Sequence, residues 1–443
     1  MSLNGKARLL IVDQSLRDMV GHHFEYDLAV GDSAAGHGLS AAVLAHASFK
    51  DLALFGDIPV TPWFTQTYYG VDRSRSVQLA RRLLQGLPIS LRAPLIRVAA
   101  PVLGRMRARA GATPQAKAAP LPVFGAELGR YLDAQRFGSQ DHVLIHTVNM
   151  SELHSALAAF ADAEGGPMLH VVLRRDADEP GIRSGPWGGA PGAFQRLAAA
   201  PALARRVAFY TDSAGLARQY HEMAPDLLFR VLPVPYPVPA ELPVGRSRQD
   251  GPLRLTYVGD ARVEKGYDRL PQLMSELGET LIDGRTARLV AQSNAAMSLE
   301  DDVIARARGT LKRYPAAQVE LLTHVLAVDE FNTLLSDADI VILPYDAQNY
   351  RNRSSGILVQ AIAAGKPVVI PSGTWLSDTA PAGASVQFDT PEQLGQAVAS
   401  AIRSFDALSE EAARNAPAWR AFHNGSNLVG ILKNTLEMAG QDT

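Results

Sequence analysis

The stretch DADIVILPYDAQNYRNRSSGILVQAIAAGKPVVI, residues 337–370, decides the fold. Ile340-Val341-Ile342-Leu343 is a continuous apolar run, the pattern of a strand buried on both faces. Pro344 stops it, because proline cannot donate to a central ladder. A polar loop, 345–355, carries Arg351 and Arg353. Residues 356–364 read as a short helix closed by Gly365, and Lys366-Pro367 leads into a second apolar strand, 368–370. Together they form a strand–loop–helix–strand unit of a parallel α/β sheet, its loop at the C-terminal edge where such sheets bind ligands. Ser354 and Ser355 stand at N-cap positions beside Gly356, which lets a ligand approach the backbone. Two readings stay open: a plain helix cap, or an anion site in which the helix N-terminus works with the two arginines.

The same punctuation recurs on both sides. Downstream of residue 252, apolar strands fall at 253–258, 287–291, 319–322, 340–343, 368–370 and 385–388, with helices between them, including 267–277 and 329–336. A terminal helix starts at Pro391, and a last one near 427–438 follows Trp419 and His423. Upstream, strand 8–13 is followed by the loop QSLRDMVGHH, a helix from Phe24 to before Gly36, and strand 39–44. No GxGxxG follows that first strand, which disfavours a dinucleotide site. Further strands fall at 141–146, 168–173 and 207–210, with helices 152–163 and 214–223. Asp13, His146, Arg175, Asp176 and Asp212 all fall at strand C-termini, hence at one sheet edge. His22 and His23 are either catalytic or solvated loop residues, and spacing alone favours the plainer reading. The proline-rich segment VLPVPYPVPAELPVGRSRQDG, 231–251, separates the two series as a linker.

A chain of 443 residues suggests two or three domains with ample core. A net charge of −2 gives no ground for a nucleic-acid partner. The absence of cysteine excludes disulfides, thiolate metal sites and cysteine nucleophiles. The N-terminus has no signal-peptide pattern and no apolar run reaches membrane-span length, so a cytoplasmic location is expected. Residues 73–117 carry arginines and a lysine without one Asp or Glu, interleaved with Leu, Ile, Val and Met. Such a stretch suits an anionic membrane surface on the inner face of the cell membrane, or a helical insertion packing its apolar face on the domain.

The second chemistry-bearing segment is Val258-Gly259-Asp260-Ala261-Arg262-Val263-Glu264-Lys265-Gly266. It places Arg262 and Lys265 at the same sheet edge as the Ser354–Gly356 helix start. A guanidinium, an ammonium and a helix N-terminus converging on one crevice is what a diphosphate requires. The alternative is a pair of surface cations, one of them paired with Glu264.

VGDARVEKGYDRL (258–270) and the 337–370 stretch resemble two motifs of the retaining GT-B glycosyltransferases of family four. These are its glycine–arginine–glutamate–lysine–glycine segment and its two-glutamate motif before A-G-x-P-V-V. The resemblance covers the C-terminal half; the N-terminal half is similar mainly in strand–helix order and in the glycine loop after the first strand. It implies an α/β GT-B fold, two Rossmann-like domains facing across a cleft. Residues 1–240 would form the acceptor domain with a basic amphipathic insertion at about 73–120. Residues 252–405 would form the donor nucleotide-sugar domain, with 416–443 a helix crossing back.

The implied activity is hexosyl transfer from a UDP- or GDP-sugar to a glycan or lipid-linked acceptor, without a cofactor, in cell-surface polysaccharide or glycolipid synthesis. Carried over residue by residue, Arg262 and Lys265 would neutralise the leaving diphosphate, with His146 and Arg175 as the catalytic side chains of the first domain. Donor contacts would come from Gly21, Asp260, His324, Asn352, Arg353, Ser354, Ser355, Gly356, Ile357 and Gln360, and acceptor contacts from His22, His23 and Asp176. The base would be held by backbone near 324–326.

Three departures stand out. Asp260 occupies the place of the family's arginine, with Arg262 two positions on. Asn352 and Gln360 occupy the places of its two glutamates; an amide bonds a ribose hydroxyl more weakly than a carboxylate. Arg175, next to Asp176, matches a histidine often found in the first domain, which would favour an anionic substrate. The family's chemistry relies on positioning and charge stabilisation rather than on the placed carboxylate pair of a glycosidase. No D-x-D motif is evident, so no metal is expected. The rival readings are an epimerase or sugar-phosphate synthase of the same fold, and a non-catalytic nucleotide-sugar-binding protein.

Overall fold

The structure, a computed structural model, describes residues 6–18, 22–66, 121–161, 165–237, 251–278, 285–294 and 302–441. Gly21 and the basic stretch 73–117 lie outside these residues, and of His22 only the backbone is described.

Two parallel sheets form, as the apolar runs predict. The first contains β1 (Arg8–Asp13), β2 (Ser40–His46), β3 (Val60–Phe64), β4 (His142–Ile145), β5 (Met168–Val172), β6 (Val207–Thr211) and β7 (Phe229–Val231), in the order β3-β2-β1-β4-β5-β6-β7. The second contains β8 (Leu253–Tyr257), β9 (Ala287–Gln292), β10 (Val319–Leu322), β11 (Ile340–Ile342), β12 (Val368–Pro371) and β13 (Ser385–Phe388), in the order β10-β9-β8-β11-β12-β13. In each sheet the strand order reverses beside the first strand, between β1 and β4 and between β8 and β11. A crevice opens at such a switch point, outside the strand C-termini.

The long helices are α1 (His22–Ala34), α2 (Val123–Ala134), α3 (Met150–Ala161), α4 (Gly189–Ala198), α5 (Ala214–Met223), α6 (Leu270–Leu277), α7 (Asp302–Leu311), α8 (Val328–Ser336), α9 (Gly356–Ala363), α10 (Leu394–Arg403), α11 (Phe405–Phe422) and α12 (Gly425–Gln441). They cover both faces of both sheets, so central strands such as β4 and β11 are buried along their whole length. That is why those strands read as unbroken apolar runs. Burial on both faces leaves no alternation to find.

The helix α12 packs in the core of the first domain. Leu428, Val429 and Leu432 are fully buried there with Leu9, Ile11, Val30 and Tyr210. Its polar side is fixed by Tyr210 Oη donating to Thr435 Oγ1 at 3.0 Å and by Lys433 Nζ donating to the His37 carbonyl at 3.2 Å. The preceding helix α11 belongs to the other domain: Trp419 Nε1 donates to the Val359 carbonyl at 3.0 Å, and Arg420 to that of Ala363 at 2.6 Å.

Candidate active site

The donor-side crevice starts at Gly259, just past β8. Its φ of +109° belongs to glycine, and a Cβ there would meet Ile357 Cδ1 at 2.6 Å and Lys265 Nζ at 2.9 Å. The glycine thus brings three expected residues together: the lysine ammonium and the first turn of α9 meet over a backbone with no side chain. Gln292 Oε1 accepts the Gly259 amide at 2.7 Å and fixes that backbone. Gly266, at φ +69°, performs a second close approach; a Cβ there would lie 1.8 Å from the Pro344 carbonyl oxygen. The lysine loop is thereby seated against the end of β11.

Burial lowers Lys265 to about 8, helped by the adjacent Arg262 guanidinium. The residue as a whole is half-buried, with its ammonium directly over the Gly259 backbone. Arg262 is exposed and paired, at 2.8 Å with Asp260 and 3.5 Å with Glu264. Asp260 also accepts from Asn294 Nδ2 at 2.8 Å. Arg353 lies 3.6 Å from Glu264 and over the Tyr350 ring at 5.2 Å. So of the two expected diphosphate cations, Arg262 is neutralised by carboxylates, and Lys265 is a cation that partial burial disfavours.

Each serine at the start of α9 has its own task. Ser355 is the cap: its Oγ accepts the Leu358 amide at 3.2 Å. Ser354 reaches across the cleft and donates to Asp212 Oδ2 at 2.5 Å. Asp212 follows β6, and burial raises its pKa, opposed by Arg174 and by this hydroxyl. Gly356 borders open space, where a Cβ would meet nothing within 4 Å.

Asn352 and Gln360, the amides at the family's two glutamate positions, each donate to a carboxylate from the other domain. Asn352 Nδ2 is 3.0 Å from Asp176 Oδ2, and Gln360 Nε2 is 3.2 Å from Glu25 Oε2. Ser213 Oγ donates to the Asn352 carbonyl at 2.6 Å, and a Cβ on Gly215 would meet Asn352 Oδ1 at 2.1 Å. Glu25 is raised by burial and steadied by Gln360. The cleft therefore holds acid–amide pairs with the acid on the opposite domain, a division that no single-segment motif displays.

On the first domain, Arg175 is exposed and forms an ion pair with Glu179, away from the buried groups. The neighbouring Arg174, which the motif reading passes over, lies 4.7 Å over the Tyr26 ring and 3.7 Å from Asp212. Tyr26 in turn stacks on His146 at 4.4 Å. His146 follows β4 and is wholly buried between Asp13 and Asp27. Burial alone would lower His146, but Asp27 and Asp13 hold it up at about 9. His23 is buried rather than solvated, its Nδ1 2.7 Å from Asp13 Oδ2. His324, expected near the base, is exposed and lies 3.2 Å from Glu330. The residues missing from the sequence-based set are Glu25, Tyr26, Asp27 and Arg174; the i, i+4 spacing of His23 and Asp27 was their one visible signal.

No family model and no curated protein matches this sequence. Solved structures match the fold. HepE of Anabaena in complex with UDP aligns at a TM-score of 0.60 and 14% identity, covering 98% of this chain and 100% of that one. Sucrose-phosphate synthase from Thermosynechococcus elongatus aligns at 0.60 and 12%, covering 99% and 100%. The lipopolysaccharide outer core galactosyltransferase WaaB aligns at 0.56 and 10%, covering 97% and 99%. The architecture shared across these full lengths is the GT-B pair of Rossmann-like domains.

Proposed function

We propose that this protein is a glycosyltransferase that moves a hexosyl group from a nucleoside diphosphate donor to a glycan or lipid-linked acceptor with retention, in cell-surface polysaccharide or glycolipid synthesis. The carrying observation is Lys265, whose ammonium, its pKa lowered by burial, sits over side-chain-free Gly259 beside the first turn of α9. A cation kept out of water gains most when a dianionic diphosphate arrives, and it stabilises the charge that grows as the glycosyl bond breaks. Arg262 adds a second positive group, and amides at Ser355 and Gly356 offer donors to phosphate oxygens. Cations rather than a metal ion then neutralise the leaving group.

In this reading the departing phosphate receives the acceptor proton, so no protein nucleophile is needed. Asn352 and Arg353 face the donor sugar, Gln360 with Glu25 the ribose, and backbone at 324–326 the base. The anionic-substrate role inferred for Arg175 passes to Arg174. The structural likeness to HepE, solved with UDP and with UDP-glucose, supports a UDP-sugar donor first and a GDP-sugar second. Among the described residues no helix is long and apolar enough to cross a membrane, which fits docking through 73–117 on the membrane's inner face.

The experiment is a thermal-shift panel of UDP-, GDP- and ADP-sugars, followed by proton NMR of the product's anomeric coupling. A bound donor raises the melting temperature by mass action. One donor stabilising the protein and its anomeric configuration carried into the product support the reading. Inverted product refutes retention; isomerised donor with no glycosylated product supports an epimerase; donor binding without turnover leaves a binding protein. Liposomes decide the membrane part: retention on anionic vesicles at low salt supports it, and equal recovery from neutral vesicles refutes it.

A further inference from the structure

Four side chains gather at the β1–β4 switch point, among them His146 and His23, which the family resemblance implied as catalytic and acceptor-side residues. Asp13 ends β1, His146 follows β4, and His23 and Asp27 lie one turn apart on α1, so both face the same strand ends. Asp13 Oδ2, His23 Nδ1 and His146 Nε2 can all be brought to one point: a ligand atom of each lies within 4.8 Å of the others. His146 Nε2 is 3.4 Å from Asp13 Oδ2 and 2.9 Å from Asp27 Oδ1. Atoms bound at about 2.0–2.1 Å to one tetrahedral ion stand about 3.3 Å apart, so Asp13, His23 and His146 need modest shifts to share one, while Asp27, which reaches His146 but stands outside that group of three, must turn further toward it.

Two observations separate this set from an ordinary buried ion pair. His146 Nε2 has two carboxylate oxygens against it, yet neither contact has hydrogen-bond geometry. Asp27 is 0% exposed and, among the described residues, accepts no hydrogen bond at either oxygen. A buried carboxylate left in that condition is costly, whereas coordination satisfies it and the ring nitrogen together. The surroundings orient the same atoms. Thr147 Oγ1 lies 3.1 Å from His146 Nδ1, which leaves Nε2 as the ligand atom. The Ser15 amide donates to Asp13 Oδ1 at 2.8 Å, which leaves Oδ2 inward.

We propose that Asp13, His23, Asp27 and His146 bind one divalent first-row transition-metal ion, of which zinc is the representative. Two imidazoles select against magnesium and calcium, and two carboxylates balance the ion's charge. The ion ties α1 to β1 and β4 in the first domain, whereas Lys265 belongs to the second, and the argument for it uses none of the donor-side contacts.

The test uses the full chain purified without chelator. Elemental analysis should find about one equivalent of transition metal per chain. After chelation, Zn2+ should raise the melting temperature, and Co2+ should bind with the visible ligand-field bands of nitrogen–oxygen coordination. Asp27→Asn and His146→Gln should each weaken Co2+ binding at least tenfold. Should either variant fail to fold, wild-type stoichiometry and the Co2+ spectrum decide alone. A chelated wild type that neither binds Co2+ nor responds to Zn2+ overturns the proposal and leaves protons holding the cluster, as does undiminished binding by both folded variants.

Discussion

Replacing Lys265 by Met should move stability and donor affinity in opposite directions. Methionine keeps the length and the apolar stem of lysine but removes the charge. Lysine titrates near 10.5 in solvent, and in the folded protein Lys265 titrates at about 8. The gap corresponds to about 3 kcal/mol at pH 7, an upper figure, because relaxation and water recover part of it. The unfolded chain binds the proton more tightly, so wild-type stability is lowest at or below pH 8 and rises as pH climbs from 8 toward 10.5. Lys265→Met should lack that rise and should melt several degrees higher at pH 7. The same variant should bind UDP about 10- to 100-fold more weakly, the value of one charge-assisted contact. Wild-type affinity for UDP should fall above pH 8, where the free enzyme's lysine is neutral. Calorimetric melts from pH 7 to 10 and isothermal titration with UDP measure both quantities. A variant that melts lower and binds UDP as well as the wild type would mean that the ammonium supports the loop rather than the diphosphate, and the reasoning would fail.

Gln360→Glu sets a second carboxylate against half-buried Glu25 in place of a 3.2 Å hydrogen bond, so the melting temperature should drop, and adding Glu25→Gln should restore it. A double-mutant cycle in chemical denaturation should show coupling of about 1 kcal/mol, and strict additivity would disprove the cross-cleft bond. Gly259→Ala drives a Cβ into Ile357 and Lys265 at φ +109°, which predicts a loss of about 1–3 kcal/mol by denaturant titration together with weaker UDP binding. Leu432→Ala opens a cavity in the first domain's core and should cost about 2–5 kcal/mol; an unchanged midpoint would show that α12 is not integral there.

The parts of the fold that were legible in the sequence are those where one segment carries its own signal. Runs such as 340–343 and 287–291 announce buried parallel strands, and the order of elements follows from their punctuation. The strand β3 escaped because Pro62 interrupts it, which a sheet edge tolerates, and β7 because three residues give no period. The same divide runs through the site. Lys265, Gly259 and the start of α9 are neighbours in two short motifs and could be placed from sequence. Glu25 against Gln360 and Asp176 against Asn352 depend on how the domains face each other, which no local spacing encodes. Arg175 drew attention by matching a position in a motif, yet side-chain direction at the end of β5 sends Arg174 toward Tyr26 and Asp212 instead. His22 and His23 looked like loop residues because the helix was expected to begin at Phe24; starting it two residues earlier brings His23 under the fold.

The path of α12 has a consequence for how the protein comes into being. Leu428, Val429 and Leu432 complete a core whose other walls, β1 and α1, are made before the whole second domain. On the ribosome those walls wait through the synthesis of the entire second domain before the residues that close them emerge. A partly made chain therefore carries an uncovered apolar face on its first domain, a natural docking place for a chaperone. By the same connectivity, cleavage between α11 and α12 removes a wall of the distant first domain, so damage beyond the second domain should be felt in the first.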